Sequence, residues 1–206
     1  MTPAQSRALA EAELQPTWQA GFAMPDKDAD KESVRGRERG PVEVMLNPGD
    51  HFVGDKRHCI RTLLGSCVSI TLWHRGRRIG AMSHFLLASR APHQTGGLDG
   101  RYGDEALRVM TEKLQRMHVA AEECEAKIFG GGNMFPEQPM KSQNVGLRNG
   151  EAAREMLRLR GIEVVSESLF GVGHRQIIFD VATGNVWARQ INLTPSGFGQ
   201  LNGTLA

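Results

Sequence analysis

Two side chains in this chain can cooperate in attack on a carbonyl-type carbon: the thiol of Cys67 and the imidazole of His84. A cysteine nucleophile acts as its thiolate, which the free side chain scarcely populates near neutral pH, so it needs a base or a set of N–H donors. Gly65-Ser66, directly before Cys67, is a small-residue approach that leaves room for a planar amide. Its backbone N–H groups could also hold the oxyanion of a tetrahedral intermediate. On residue types alone, a lone internal cysteine such as Cys67 is usually a packed apolar residue, and His84 reads equally as a satisfied core histidine.

The other reactive types are less well placed. Cys59 follows His58 and has no base of its own, so a structural role is expected. Cys124 sits in Glu122-Glu123-Cys124-Glu125, where negative charge disfavours a thiolate, and is expected to be inert. Three cysteines are an odd number without paired spacing, which points to a reducing, cytoplasmic setting. His58, Cys59, Cys67 and His84 show no compact zinc spacing, and neither a metal nor an organic cofactor is expected. Gly130-Gly131-Gly132-Asn133 lacks the lysine and hydroxyl residue of a phosphate loop. It can cradle a carbonyl or an anion, or be a bare strand-to-loop turn.

What must position Cys67 and His84 is a hairpin. Residues 60–64 and 68–73 read as strands broken by Gly65-Ser66, and residues 79–87 as a further strand across the turn Arg75-Gly76-Arg77-Arg78. In an antiparallel hairpin the far ends meet, so Cys67 near the start of one strand and His84 late in the next can be neighbours. Cys67, Ser69, Thr71 and Trp73 share one face, and Val68, Ile70 and Leu72 the other.

Around the hairpin, Val42, Val44 and Leu46 alternate as in a strand, and Asn47-Pro48-Gly49-Asp50 supplies a turn. Leu107, Met110, Leu114 and Met117 form one stripe of a helix starting at Asp104. A strand is expected at 126–129. A second helix is expected at 151–160, capped by Asn149, ended by Gly161 and facing inward with Ala153, Met156 and Leu157. Strands at 162–165, 176–181 and 186–191 close the domain, the last two joined by Thr183-Gly184-Asn185. The order predicts an α+β fold of layered sheets with packed helices, and not a doubly wound dinucleotide fold.

Hydrophobic residues are 40% and charged residues 23% of 206, a globular composition large enough for a core without disulfides. A formal charge of +2 gives no case for nucleic acid. The amino terminus has no apolar run, so neither a signal peptide nor a membrane span is expected. Residues 1–40 read as a flexible extension, 41–193 as the domain and 194–206 as a tail.

Five blocks raise a resemblance. Thr62-Leu63-Leu64-Gly65-Ser66-Cys67-Val68, Gly80-Ala81-Met82-Ser83-His84-Phe85-Leu86-Leu87, Ala126-Lys127-Ile128-Phe129-Gly130-Gly131-Gly132-Asn133-Met134-Phe135, Asn144-Val145-Gly146-Leu147-Arg148-Asn149 and Gly171-Val172-Gly173-His174-Arg175 resemble, in order, the CheD family of chemoreceptor glutamine deamidases. The resemblance implies a three-layer arrangement like the catalytic domain of deamidating toxins. It implies Cys67 as nucleophile, His84 as base and Thr62 as the third catalytic member. Some relatives carry that threonine one residue earlier, where this chain has Arg61.

The implied substrate is a glutamine in the cytoplasmic region of a methyl-accepting chemotaxis receptor, turned into a methylatable glutamate through a thioester. A CheC-type phosphatase is the implied regulator. Phe85, Met134 and Phe135, beside the matched blocks, are expected to rim the site. Two other classes fit the residues: a non-catalytic adaptor binding receptor or phosphatase, and another cysteine amidase or esterase.

Overall fold

Runs in which β-branched and aromatic residues alternate with small or polar ones form nine strands among the described residues. The computed structural model describes residues 40–91, 93, 95–137 and 145–191. The expected flexible extension and tail lie outside them, except for Gly40. The strands are β1 (Val42–Met45), β2 (His51–Asp55), β3 (His58–Leu64), β4 (Val68–His74), β5 (Ile79–Ser83), β6 (Glu125–Gly130), β7 (Glu163–Leu169), β8 (His174–Asp180) and β9 (Val186–Ile191). Two helices among the described residues, α1 (Gly103–Arg116) and α2 (Val145–Leu159), pack with them, along with a short 3-10 turn at Ala121–Glu123.

The strands make two mixed sheets, one ordered β1-β3-β8-β9 and the other β2-β5-β4-β6-β7. The period-2 alternation of β4 explains the layering. Val68, Ile70 and Leu72 turn to one side and pack with Leu107, Met110 and Leu114 of α1 and Ala153, Met156 and Leu157 of α2. Trp73, with Met82 and Phe129 from the neighbouring strands, turns to the other side and meets Ile60, Leu64, Ile177 and Phe179 of the four-stranded sheet. The molecule is thus sheet on sheet with helices on the outer face of the second sheet, an α+β arrangement as expected.

Three local expectations are corrected, and β2 is a strand that the sequence pattern did not predict. β2 has no strong apolar alternation in HFVGD, and its pairing with β5 decides its conformation. The strand expected at 79–87 ends at Ser83, because the Ser83 hydroxyl takes the Ile70 N–H (3.3 Å) that the ladder would otherwise use. The second helix spans Val145–Leu159, so Asn149 lies inside it and is not its cap. Phe85, expected at an exposed rim, is fully buried between sheet and helices, because it falls on the same face as Val68.

Candidate active site

Cys67 and His84 are brought together by the register of one strand pair. Val68 and Phe85 exchange both backbone bonds (3.0 and 2.9 Å), so Ser69 and His84 are the next facing residues and Cys67 precedes the pair. Alternation then turns Cys67, Ser69 and His84 to the same side, toward the four-stranded sheet, leaving Val68 and Phe85 on the helix side. Cys67 and His84 are diagonal neighbours on that face. Cys67 is half-buried, whereas His84 is 2% exposed. The backbone of His84 is pinned on its far edge, where its N–H donates to the Asp50 carbonyl (2.9 Å) and its carbonyl accepts from Gly49 (2.7 Å).

Thr62 comes from the other sheet. It points inward from β3, 1% exposed, and its Oγ1 lies 2.8 Å from His84 Nδ1 and 2.9 Å from the Leu46 carbonyl. A carbonyl only accepts, so the single hydroxyl proton of Thr62 goes to Leu46 and its lone pair faces the imidazole. Nδ1 must then carry the ring proton, which leaves Nε2 as the basic nitrogen. Nε2 is buried and makes no hydrogen bond among the described residues. The Leu46 carbonyl also faces the ring and favours its protonated form.

Electrostatically the pair rests neutral. Burial pushes the Cys67 thiol up, opposed by its own backbone N–H, whose positive end favours the thiolate. Burial also pulls the His84 imidazole down, against the Leu46 carbonyl and the more distant Asp50 charge. Both shifts penalise the charged forms, so a thiolate–imidazolium pair is disfavoured until a substrate supplies compensating interactions.

The approach to Cys67 is built from glycines. Gly131 N–H donates to the Cys67 carbonyl and Gly132 N–H to the Gly65 carbonyl, both at 2.9 Å. Gly130 has φ +113°, and a Cβ there would lie 2.3 Å from the Cys67 oxygen, so only glycine fits. Arg175 is buried and braces this loop, donating to the carbonyls of Gly130 and Phe170 (3.0 Å each). Met134, half-buried, packs against Gly65, and Phe135 is 67% exposed beside it. The glycine-rich stretch therefore forms a cradle around the Cys67 backbone.

The remaining cysteines lie elsewhere. Cys59 is buried on β3 and its thiol is pushed up by burial. Cys124 is 3% exposed and is pushed up to about 12, first by burial and then by Glu123 and Glu122. Residue reasoning did not single out Arg175 or the Leu46 carbonyl. It read Asn149 as a cap, although Asn149 donates to the carbonyls of Ser66 (3.2 Å) and Leu86 (2.7 Å). A backbone carbonyl leaves no trace in residue type, but an asparagine inside a matched block was a usable signal.

Fold and site together define a three-layer α+β protein whose inter-sheet face holds a thiol, an imidazole and a threonine hydroxyl at one end of a hairpin. Residues 86–190 match the family described as CheD chemotactic sensory transduction; Cys67 and His84 precede that stretch. A relative from Albidiferax ferrireducens, called probable chemoreceptor glutamine deamidase CheD 2, is 57% identical over 75% of this chain and 91% of its own length. Similar proteins from Chromobacterium violaceum (45% identical; 71% of this chain, 77% of the relative) and Thermococcus kodakarensis (37%; 73% and 94%) bear the same kind of name. The chain belongs to the CheD family. Among the described residues, no helix is long and apolar enough to cross a membrane.

Proposed function

We propose that this CheD-family chain is a protein-glutamine deamidase acting on the cytoplasmic region of methyl-accepting chemotaxis receptors, with Cys67 as nucleophile, His84 as general base and acid, and Thr62 as the residue that orients His84. The observation that supports the mechanism is a contact: Thr62 Oγ1, which donates to the Leu46 carbonyl, lies 2.8 Å from His84 Nδ1, while Nε2, without a hydrogen bond among the described residues, shares a face with Cys67.

In the reaction, His84 Nε2 takes the Cys67 proton as the sulfur attacks the glutamine carboxamide carbon. The carbonyl π electrons move to oxygen, and backbone N–H groups of residues 65–67 stabilise that oxyanion. His84 returns the proton to the amide nitrogen as the C–N bond breaks, ammonia leaves and a thioester remains. Water then loses a proton to His84 Nε2 and attacks the thioester. As the C–S bond breaks, His84 Nε2 gives that proton to the leaving sulfur, which restores the Cys67 thiol and yields a glutamate side chain. Every proton is passed through one nitrogen, and no cofactor enters the balance.

Met134 and Phe135 supply an apolar rim suited to the flank of a receptor helix. A CheC-type phosphatase is proposed as a regulator of deamidation; receptor deamidation unaffected by added phosphatase would remove that part. The central experiment is mass analysis of receptor peptides after incubation with wild type and Cys67→Ala. Wild type is expected to convert carboxamide to carboxylate with release of ammonia and the variant to do neither. Conversion by Cys67→Ala would exclude the proposed nucleophile, and receptor binding without conversion by wild type would mark an adaptor.

A further inference from the structure

Helix α2 carries a buried asparagine that neither capping nor packing explains. Asn149 is 1% exposed, and its Nδ2 donates to carbonyls on two separate segments, Ser66 and Leu86. Ser66 immediately precedes Cys67, and Leu86 lies two residues past His84. Burying a carboxamide costs free energy that its hydrogen bonds must offset, whereas an apolar residue would fill the interface between helix and sheet without that cost.

We propose that Asn149 is a positioning residue of the active site: by clamping the Ser66 and Leu86 carbonyls it aims the Cys67 N–H at the reacting sulfur and the substrate oxygen. The reason lies in the peptide plane. In a trans peptide C=O and N–H point in opposite directions, and none of the described peptide bonds is cis. Holding the Ser66 oxygen toward α2 therefore turns the Cys67 N–H away from the helix, to the side of the four-stranded sheet, where the Cys67 side chain also packs.

The neighbouring carbonyls are held as well, Gly65 by Gly132 N–H and Cys67 by Gly131 N–H. Each carbonyl of residues 65–67 thus has its own donor, and the segment cannot rotate without breaking one of them. The second arm of the clamp fixes the other partner. Leu86 follows the Phe85–Val68 bridge, and its N–H donates to the Arg101 carbonyl (2.9 Å), so Asn149 completes the anchoring of the segment that carries His84. Helix α2 can come this close because Gly146 lies directly on Gly131, where a Cβ would meet the Gly131 oxygen at 2.5 Å.

The catalytic arm of this inference rests on the deamidase reading; the thiol-reactivity arm does not. Full-length Asn149→Ala and Asn149→Asp are compared with wild type and with Leu157→Ala, a core substitution on the same helix away from the clamp. Measured are kcat and KM on a receptor fragment, and the pH dependence of Cys67 alkylation by iodoacetamide, read on the Cys67 peptide by mass. Both Asn149 variants are expected to lose about 10- to 10²-fold in kcat with KM within about twofold, since the clamp acts through an oxyanion donor.

Their alkylation midpoint should move to higher pH, while Leu157→Ala, assayed where it is folded, keeps both properties. Wild-type kcat in either Asn149 variant, an unmoved alkylation midpoint, or the same losses in Leu157→Ala would overturn the proposal. So would failure of both Asn149 variants to fold where Leu157→Ala folds, since the side chain would then serve stability alone. If wild type releases no ammonia, the deamidase reading falls while the alkylation midpoints still decide the role of Asn149.

Discussion

Replacing Thr62 by valine keeps the shape of the side chain and removes the one hydroxyl that joins the two sheets at His84. In the folded protein that oxygen donates to the Leu46 carbonyl at 2.9 Å and faces His84 Nδ1 at 2.8 Å, fully out of solvent. A neutral buried hydrogen bond contributes about 1 kcal/mol net, and a buried polar group left without a partner costs about 1–3 kcal/mol. Two bonds are lost, but the Leu46 carbonyl also faces the imidazole and recovers part of the interaction. Together these give a destabilisation of roughly 2–3 kcal/mol.

The catalytic effect follows from the same count. General-base catalysis is worth about 10²–10⁴-fold, and a base that spends time in the other tautomer, or turned away from the thiol, loses part of it. Thr62→Val is therefore expected to lower kcat for ammonia release about 10- to 10²-fold at saturating receptor, with KM little changed. Thr62→Ser, which keeps the hydroxyl and loses one methyl, should stay within a few-fold of wild type and cost about 1 kcal/mol of stability. Denaturant midpoints and initial rates of ammonia release at temperatures where all three proteins are folded provide the comparison. Equal kcat in Thr62→Val and Thr62→Ser would refute the argument that the threonine proton sets the tautomer.

Other outcomes follow from the shifts at the site and its surroundings. Because burial lowers the His84 pKa, the acid limb of the kcat/KM profile should lie below the ordinary histidine value of 6.5; a limb above it would contradict the resting neutral pair. The unfolded chain then binds more protons at this site. Stability from His84 is present above pH 6.5 and lost as pH falls through the folded value, so His84→Gln should show a shallower acid decline in denaturant midpoint.

Cys124 has the opposite sign. Its thiol stays protonated in the fold up to about 12 and ionises near 9 when unfolded, so stability falls from about pH 9 toward 12. Cys124→Ala should flatten that alkaline slope, and an unchanged slope would show that other groups cause it. Phe135→Ala should weaken receptor binding about tenfold with kcat intact, because the side chain is exposed on the proposed rim. Unaltered affinity in a titration would remove Phe135 from the recognition surface.

What was legible without coordinates was whatever depends on short-range periodicity and residue type. The alternation in β4 assigned Cys67 and Val68 to opposite faces, the stripe Leu107, Met110 and Leu114 marked the buried side of α1, and the hairpin brought Cys67 toward His84. Blocks of sequence also pointed to the family that the comparisons show. β2 and the burial of Phe85 were not legible, since one depends on its neighbour in the sheet and the other on a parity that the irregularity at Ser83 obscured.

Tertiary structure alone decided how the imidazole is held. Thr62 reaches His84 from the opposite sheet, Leu46 contributes through a backbone oxygen, and Asn149 reaches the nucleophile segment from a helix far along the chain. Hydrogen-bond direction depends on where a lone pair sits in space, and no pattern of side-chain types along one strand encodes it.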